Sequence, residues 1–146
     1  MLSISPITAA DLDPWLALRA LLWPNDGPDA LAEDAARTLA DAHQAGFLAR
    51  DGEGRPIGFI EVAIYRDVHS QNPRGHIEAW FVVPDRRGEG LGAALLAHAE
   101  QWCLHRAITL LTSDTHDGYP LSPVAHEGRG FRKLAELQIF VKELTG

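Results

Sequence analysis

Hydrophobic residues repeat at helical spacing in three long segments of the chain. From Leu12 to Trp23 they recur three and four residues apart, after a capping-box-like start at Thr8–Asp11. An alanine-rich segment predicts a second helix from Asp29 to Ala45, ended by Gly46. A third apolar period begins in a glycine-rich turn and predicts a helix to about His105. The pattern thus favours two early helices and one long later helix.

Runs rich in β-branched and aromatic residues occupy the segments between these helices. The predicted strands are a short edge strand around Ile4–Ile7, then Phe47–Arg50, Ile57–Arg66, Gly75–Val83, Ile108–Thr112 and Leu137–Val141. A further short helix is predicted over Ser122–Glu127, closed by Gly128 or Gly130. The order βααβββαβαβ, without repeats or a linker, predicts a single domain over residues 1–146.

A glycine-rich turn joins the central strand to the long helix. The strand-like run Trp80–Val83 is closed by Pro84, which cannot donate to a ladder, and Gly88, Gly90 and Gly92 follow. Glycines let successive N–H groups approach an anion, and a helix start adds donors and a positive dipole end. The stretch predicts a phosphate-binding turn, with an ordinary strand-to-helix turn as the structural alternative.

Two common phosphate motifs do not fit this turn. A P-loop requires Gly-Lys-Ser/Thr at the helix start, where this chain has Leu91 and Ala93. The dinucleotide fingerprint tolerates alanine at position 93, but it also needs an acidic residue on a strand about 20 residues further on. Asp114 lies just beyond that strand. The ligand is therefore expected to be a phosphate compound of another kind.

Composition narrows the class of protein. The chain is 46% hydrophobic and 23% charged, as in ordinary globular proteins. Its net charge of −7 argues against a nucleic-acid surface, which would need a basic patch. It has no run of about 18 apolar residues and no signal-peptide pattern at its start. A single cysteine, Cys103, excludes an internal disulfide and suits a reducing cytoplasm. The histidines lack metal-binding spacing, so no metal site is predicted.

Three titratable residues are candidates for chemistry. Glu78 lies in an apolar strand, two residues before Trp80, and is expected to share a sheet face with Trp80 and Val82. Asp114 follows a buried strand at its carboxyl end, where sites of open sheets lie. His126 falls on the short predicted helix. The alternatives are a solvent-facing strand residue for Glu78, a turn aspartate for Asp114 and a surface histidine for His126.

The stretch Arg87-Gly88-Glu89-Gly90-Leu91-Gly92 resembles the acetyl-CoA site of the Gcn5-related N-acetyltransferase (GNAT) superfamily. The order of elements and the Gly130-Phe131 pair are also similar to that superfamily. The resemblance implies an α+β (α/β) GNAT fold, with a mixed, mostly antiparallel central sheet of about six to seven strands flanked by about four helices. Within the superfamily, Trp15–Pro24, Ile77–Pro84 and Thr112–Thr115 resemble the smaller aminoglycoside 6'-N-acetyltransferases.

This resemblance implies an activity and a set of roles. Acetyl-CoA would be the cosubstrate, and its acetyl group would pass directly to a cationic amine in a ternary complex. Glu78 and Asp114 would hold the ammonium and assist deprotonation, and His126 would protonate the leaving thiolate. The residues implied to bind the cofactor are Trp80, Phe81, Val82, Arg87, Gly88, Glu89, Gly90, Leu91, Gly92, Ala93 and Tyr119. Those implied to line the acceptor pocket are Trp23, Tyr65, Val68, Glu78, Asp114 and Glu136.

The chain departs from the family pattern mainly on the acceptor side. Val68 aligns with a family tyrosine, with Tyr65 nearby, and Glu136 is one step from an aligned acidic position. Tyr119 replaces an asparagine that contacts the cofactor. An N-acetyltransferase for a peptide N-terminus, polyamine or other small amine, and a non-catalytic acyl-CoA-binding module, therefore stay open. The resemblance also implies a homodimer, while the composition predicts a cytoplasmic protein that binds neither nucleic acid nor membrane.

Overall fold

A computed structural model of the chain describes residues 1–66, 73–114, 122–133 and 140–144. It divides into two units, Met1–Asp114 and Thr115–Gly146, and the single domain inferred from sequence stays a prediction. The strands are β1 (Ser3–Pro6), β2 (Gln44–Arg50), β3 (Pro56–Tyr65), β4 (Arg74–Val82) and β5 (Leu111–Ser113). The α-helices are α1 (Leu12–Leu22), α2 (Pro28–Ala40), α3 (Leu91–Leu104) and α4 (Ser122–Glu127).

The first unit is built on a five-stranded sheet in the order β1-β2-β3-β4-β5. The first four strands are antiparallel, and β5 runs parallel to β4, a connection that needs the crossover helix α3. The predicted mixed, mostly antiparallel sheet and four helices are confirmed for the described residues. The predicted number of six to seven strands is wrong for the described residues, which form five. Residues 137–139 of the expected strand Leu137–Val141 lie outside the described residues, while Phe140 and Val141 are exposed and belong to no strand.

Helix α2 ends earlier than its alanine-rich sequence predicts. The carboxylate of Asp41 accepts a hydrogen bond from the backbone N–H of His43 at 2.8 Å, and this local turn competes with helix continuation. The chain is extended from Gln44, so Ala45 and Gly46 lie in β2 and pair with Val62 and Glu61 of β3. Sheet pairing thus overrides the helix propensity of this segment.

Strand β3 is buried on both faces because helices pack against each of them. Gly58 lies against Leu91 and Leu95 of α3, where an added Cβ would approach the leucine side chains to 3.2–3.5 Å. Glu61 points the other way and contacts Trp15 and Arg19 of α1. The alternation of the strand therefore places α1 and α3 on opposite faces of the sheet.

A buried ion pair ties α1, α2 and β3 together. Arg19 and Glu61 are 1% and 3% exposed. Arg19 donates to both oxygens of Glu61 at 2.7 and 2.9 Å, and the indole N–H of Trp15 donates to the same carboxylate at 3.0 Å. The guanidinium also donates to the carbonyl of Leu31 and to Asp34 in α2. Burial raises the pKa of the Glu61 carboxyl, and the hydrogen bonds from Arg19 oppose that rise.

The second unit contains the short helix α4, which confirms the prediction over Ser122–Glu127. Gly130 has a φ of +88°, and the N–H of Phe131 then donates to the carbonyl of His126 at 3.1 Å. The rings of His126 and Phe131 meet edge to face at 5.3 Å. In the described parts of the two units, no helix is both long and apolar enough to cross a bilayer.

Candidate functional site

The glycine turn after β4 has the backbone geometry of a phosphate cradle. Gly88 and Gly90 have φ values of +83° and +84°, which side chains other than glycine rarely adopt. A Cβ added at either position would meet no atom of the described residues within 4 Å beyond its chain neighbours, so this side of the turn is open. Helix α3 begins at Leu91, and its first N–H groups have no acceptor within the helix. The turn therefore fits an anion of the diphosphate kind.

Side chains around the turn brace its conformation. The indole N–H of Trp80 donates to the carbonyl of Gly92 at 3.1 Å, which joins β4 to the first turn of α3. The guanidinium of Arg87 donates to the carbonyl of Val82 at 2.8 Å and lies over the ring of Phe81. Phe81 itself is buried and packs against Phe59.

Replacing Gly90 with valine is expected to weaken coenzyme A binding by about tenfold. A β-branched residue at a positive φ costs about 1–2 kcal/mol, so the turn would shift and stop presenting its N–H groups. Isothermal titration with coenzyme A measures the change.

Gly92→Ala is the matched control for that variant. Its Cβ would make an ordinary contact of 3.7 Å with Trp80, and the residue is already helical. Its affinity should stay within about twofold of the wild type. Unchanged affinity in Gly90→Val would contradict the assignment of the turn as the cofactor site.

Strands β4 and β5 pair over only a short stretch. Among the described residues, the parallel pairs are Gly75 with Leu111, His76 with Thr112 and Ile77 with Ser113. The described pairing stops at Ile77, while β4 continues to Val82. The carboxyl half of β4 therefore has no pairing partner in β5 among the described residues.

A β-bulge at Glu78 changes which face the β4 side chains use. Ile77 pairs with Val62 and Ala79 with Glu61, so Glu78 is the extra residue. Before the bulge Gly75 faces Cys103 of α3, and after it Trp80 faces α3 instead. The expected shared face of Glu78 with Trp80 and Val82 is therefore wrong, because the inserted residue shifts the alternation.

Glu78 is held instead by Tyr65 of β3. The phenol of Tyr65 donates a hydrogen bond to the Glu78 carboxylate. This hydrogen bond is the main cause that raises the pKa of Tyr65 to about 12. The guanidinium of Arg74 lies over the same phenol ring at 5.2 Å. One carboxylate oxygen of Glu78 is thereby fixed, and the side chain stays exposed on the face away from α3.

The phenol of Tyr65 should have a raised pKa, and that pKa should fall when Glu78 loses its charge. Because the protonated phenol donates to a charged carboxylate, Glu78→Gln replaces that acceptor with a neutral and weaker one, and the pKa of Tyr65 should fall from about 12 toward its ordinary 10.0. Phenolate absorbance, measured in a Tyr119→Phe background, checks this because the chain has only two tyrosines. Identical titration curves with and without the Glu78→Gln substitution would contradict the assigned hydrogen bond.

Asp114 follows β5 and meets His76 of β4. The Nε2 atom of His76 lies 3.4 Å from Oδ2 of Asp114, whose side chain is 80% exposed. On its other edge, Nδ1 of His76 lies 2.8 Å from the hydroxyl of Thr112 and 3.1 Å from the guanidinium of Arg74. The ring of His76 also meets Tyr65 edge to face at 5.8 Å. Glu78 and Asp114 are thus both linked to the Tyr65–His76 ring pair.

Trp23 caps the C-terminal end of α1 and is half-buried. Its ring lies 5.1 Å from the guanidinium of Arg19, which also stacks on Trp15 at 5.0 Å. The buried pair of Arg19 with Glu61 therefore helps to orient the candidate aromatic wall.

Other predicted residues lie elsewhere. His126 is in the second unit, and Val68, Tyr119 and Glu136 fall outside the described residues. The sequence indicated no role for Arg19 or Glu61 and no catalytic role for His76. A glutamate inside the apolar run of β3 was the available signal for the buried pair, whereas the partners of His76 depend on sheet register and left no local signal.

Known proteins share both sequence and fold with this chain. Residues 13–122 match the profile of the Acetyltransferase (GNAT) family. The chain is 36% identical to the aminoglycoside N(6')-acetyltransferase type 1 of Stenotrophomonas maltophilia, over 94% of this chain and 91% of that protein. It is 33% identical to the protein of the same name from Klebsiella aerogenes, over 97% and 96% of the two chains.

Solved structures agree with these relatives. Aminoglycoside antibiotic 6'-N-acetyltransferase AAC(6')-Ih from Acinetobacter baumannii superposes with a TM-score of 0.88 at 28% identity, over 99% of this chain and 100% of that one. AAC(6')-Iy in complex with the bisubstrate analog CoA-S-monomethyl-acetylneamine gives 0.89 at 27% identity, over 99% of both chains. Both sequence and fold show that the chain belongs to the acetyltransferase (GNAT) family.

Proposed function

We propose that the chain is an acetyl-CoA-dependent N-acetyltransferase that acts on the 6'-amine of aminoglycosides. The observation that carries this proposal is similarity over nearly the whole chain to enzymes named for that reaction. A structural neighbour is described in complex with an analog that combines coenzyme A with an acetylated aminoglycoside fragment. The net charge of −7 also agrees with a cationic acceptor.

The cofactor side of the site would use main-chain groups. When bound, acetyl-CoA supplies the acetyl group as a thioester. The N–H groups from Gly88 to Ala93 would hold its diphosphate, and the backbone of Trp80–Val82, which has no described partner in β5, would hold the extended pantetheine arm. The open space beside Gly88 and Gly90 supports this assignment.

The acceptor side would use two carboxylates. An alkyl amine is almost fully protonated at pH 7, with about one molecule in a thousand free, which costs roughly 4 kcal/mol. Glu78 and Asp114 would bind the ammonium and accept its proton directly or through water, since both are exposed and linked to one ring pair. Trp23 and Tyr65 would supply aromatic walls. Protonation of the leaving thiolate by His126 stays a prediction from the family resemblance.

An aminoglycoside pair that differs only at the 6' position tests the proposal. Neomycin carries an amine there and paromomycin a hydroxyl, so thiol release from acetyl-CoA is expected with neomycin and strongly reduced with paromomycin. Spermidine and a peptide with a free N-terminus complete the panel. Faster turnover with either of these would assign the chain to another amine, and coenzyme A binding without thiol release from any acceptor would indicate a non-catalytic module.

The assembly and the cellular location are also part of this proposal. A homodimer is implied by the family resemblance, and a cytoplasmic location by the composition. Light scattering coupled to size exclusion tests the homodimer, because a monomeric mass across the working concentration range would contradict it.

A further inference from the structure

We propose that His76 is a positioning residue that orients the Asp114 carboxylate toward the acceptor amine. The inference rests on the proposed function, which assigns the amine to Asp114. His76 belongs neither to the glycine turn nor to the carboxylate pair of Glu78 and Asp114. Its basis is the way in which β4 and β5 hold the two edges of the imidazole ring.

The first edge of the ring is fixed by the strand pairing. His76 and Thr112 are direct partners in the parallel ladder, and Nδ1 of His76 lies 2.8 Å from the Thr112 hydroxyl. The same hydroxyl lies 2.5 Å from the Arg74 guanidinium and 3.3 Å from the carbonyl of Gly75. Only 15% of the His76 side chain is exposed. The imidazole thus has a defined position before any acceptor binds.

Arg74 decides which ring nitrogen carries the proton. A guanidinium has only donors, so the 3.1 Å contact of Arg74 with Nδ1 requires that nitrogen to accept. The proton of the ring then lies on Nε2, which faces Oδ2 of Asp114 at 3.4 Å. With Nδ1 occupied and Nε2 donating, the ring has no nitrogen left to accept the proton of the amine. His76 therefore acts through Asp114.

Asp114 needs such a partner because its side chain is 80% exposed. An exposed carboxylate on a loop samples several rotamers, and each wrong one leaves the ammonium without its acceptor. A donor at Oδ2 leaves Oδ1 for the amine. The 3.4 Å separation is longer than a good hydrogen bond, as is common in active sites before the substrate is bound, and rotation of the exposed side chain can close it.

The test compares His76→Leu with His76→Gln, since the glutamine amide can donate from nearly the position of Nε2. For acetyl transfer to neomycin, kcat/KM should fall about tenfold in His76→Leu and only about twofold to threefold in His76→Gln. The Kd for coenzyme A should be unchanged in both. His105→Leu, at the exposed end of α3, is the matched control and should leave turnover unchanged.

A double-mutant cycle separates a role through Asp114 from a structural role. In an Asp114→Asn background, His76→Leu should cause less than about a twofold further loss. The proposal would be overturned if the losses of kcat/KM multiply in the double variant. It would also be overturned if the leucine and glutamine variants lose kcat/KM equally, or if coenzyme A affinity falls in parallel. If His76→Leu does not fold, Thr112→Val removes the hydroxyl that holds the same ring. The fall in kcat/KM that Thr112→Val causes should likewise vanish in the Asp114→Asn background.

The wild-type assay keeps this inference distinct from the proposed function. No turnover of neomycin by the wild-type protein would overturn both. If the wild-type protein turns over neomycin and His76→Leu has the same kcat/KM, only the role of His76 would be overturned.

Discussion

Arg19→Met is expected to lower the free energy of unfolding by about 3–5 kcal/mol. The substitution removes the guanidinium but leaves the Glu61 carboxylate 3% exposed, with Trp15 as its remaining donor among the hydrogen bonds described above. A buried carboxylate without its counter-charge must either be protonated or draw in water, and both options destabilise the fold. The variant also loses the donor that joins α1 to the carbonyl of Leu31. Denaturation with urea, followed by tryptophan fluorescence, measures the change.

Two further variants decide whether the unpaired charge is the cause. Arg19→Met combined with Glu61→Met should recover most of the lost stability, because apolar side chains of similar volume can replace a buried pair. Arg55→Met breaks the exposed pair with Asp85 and should have a far smaller effect, since solvent screens that pair. A double variant no more stable than Arg19→Met would contradict this account, as would an equal loss in Arg55→Met.

Local signals were enough to predict the fold around the glycine-rich turn. Proline at position 84 and glycines at positions 88 and 90 act within a few residues, and the structure has the expected strand end, turn and helix start. The end of α2 was not predicted, because pairing of Ala45 and Gly46 with β3 outweighs their local propensity. The sixth strand was predicted from the β-branched and aromatic residues of Leu137–Val141, of which the described ones, Phe140 and Val141, are exposed.

The candidate site was predictable by residue type but not by geometry. An acid inside an apolar strand and an aspartate at a strand end pointed to Glu78 and Asp114, and both lie in the first unit beside β3, β4 and β5. The bulge that turns Glu78 toward Tyr65 arises from the pairing of β4 with β3, which sequence periodicity does not encode. The same holds for His76, whose partner Thr112 is distant in sequence and adjacent only in the sheet.

Glu78→Gln is expected to reduce kcat/KM for neomycin by about a hundredfold or more. Glutamine keeps the size of the side chain and can still accept the hydrogen bond from Tyr65. It loses the negative charge that would hold the ammonium and the base that would take its proton. Coenzyme A affinity should remain unchanged, because Glu78 lies outside the glycine turn. Steady-state thiol release and isothermal titration measure the two quantities separately.

Comparison with Tyr65→Phe shows whether the charge of Glu78 acts on the substrate or only on its neighbour. If Glu78 serves merely to anchor the phenol, the phenylalanine and glutamine variants should lose activity equally. If the carboxylate binds and deprotonates the amine, Glu78→Gln must lose much more than Tyr65→Phe, which leaves the charge in place but frees its orientation. Glu100→Gln, on the exposed face of α3, controls for a general loss of negative charge and should leave turnover unchanged. Equal losses in the glutamine and phenylalanine variants would remove Glu78 from the chemistry and leave Asp114 as the proposed base.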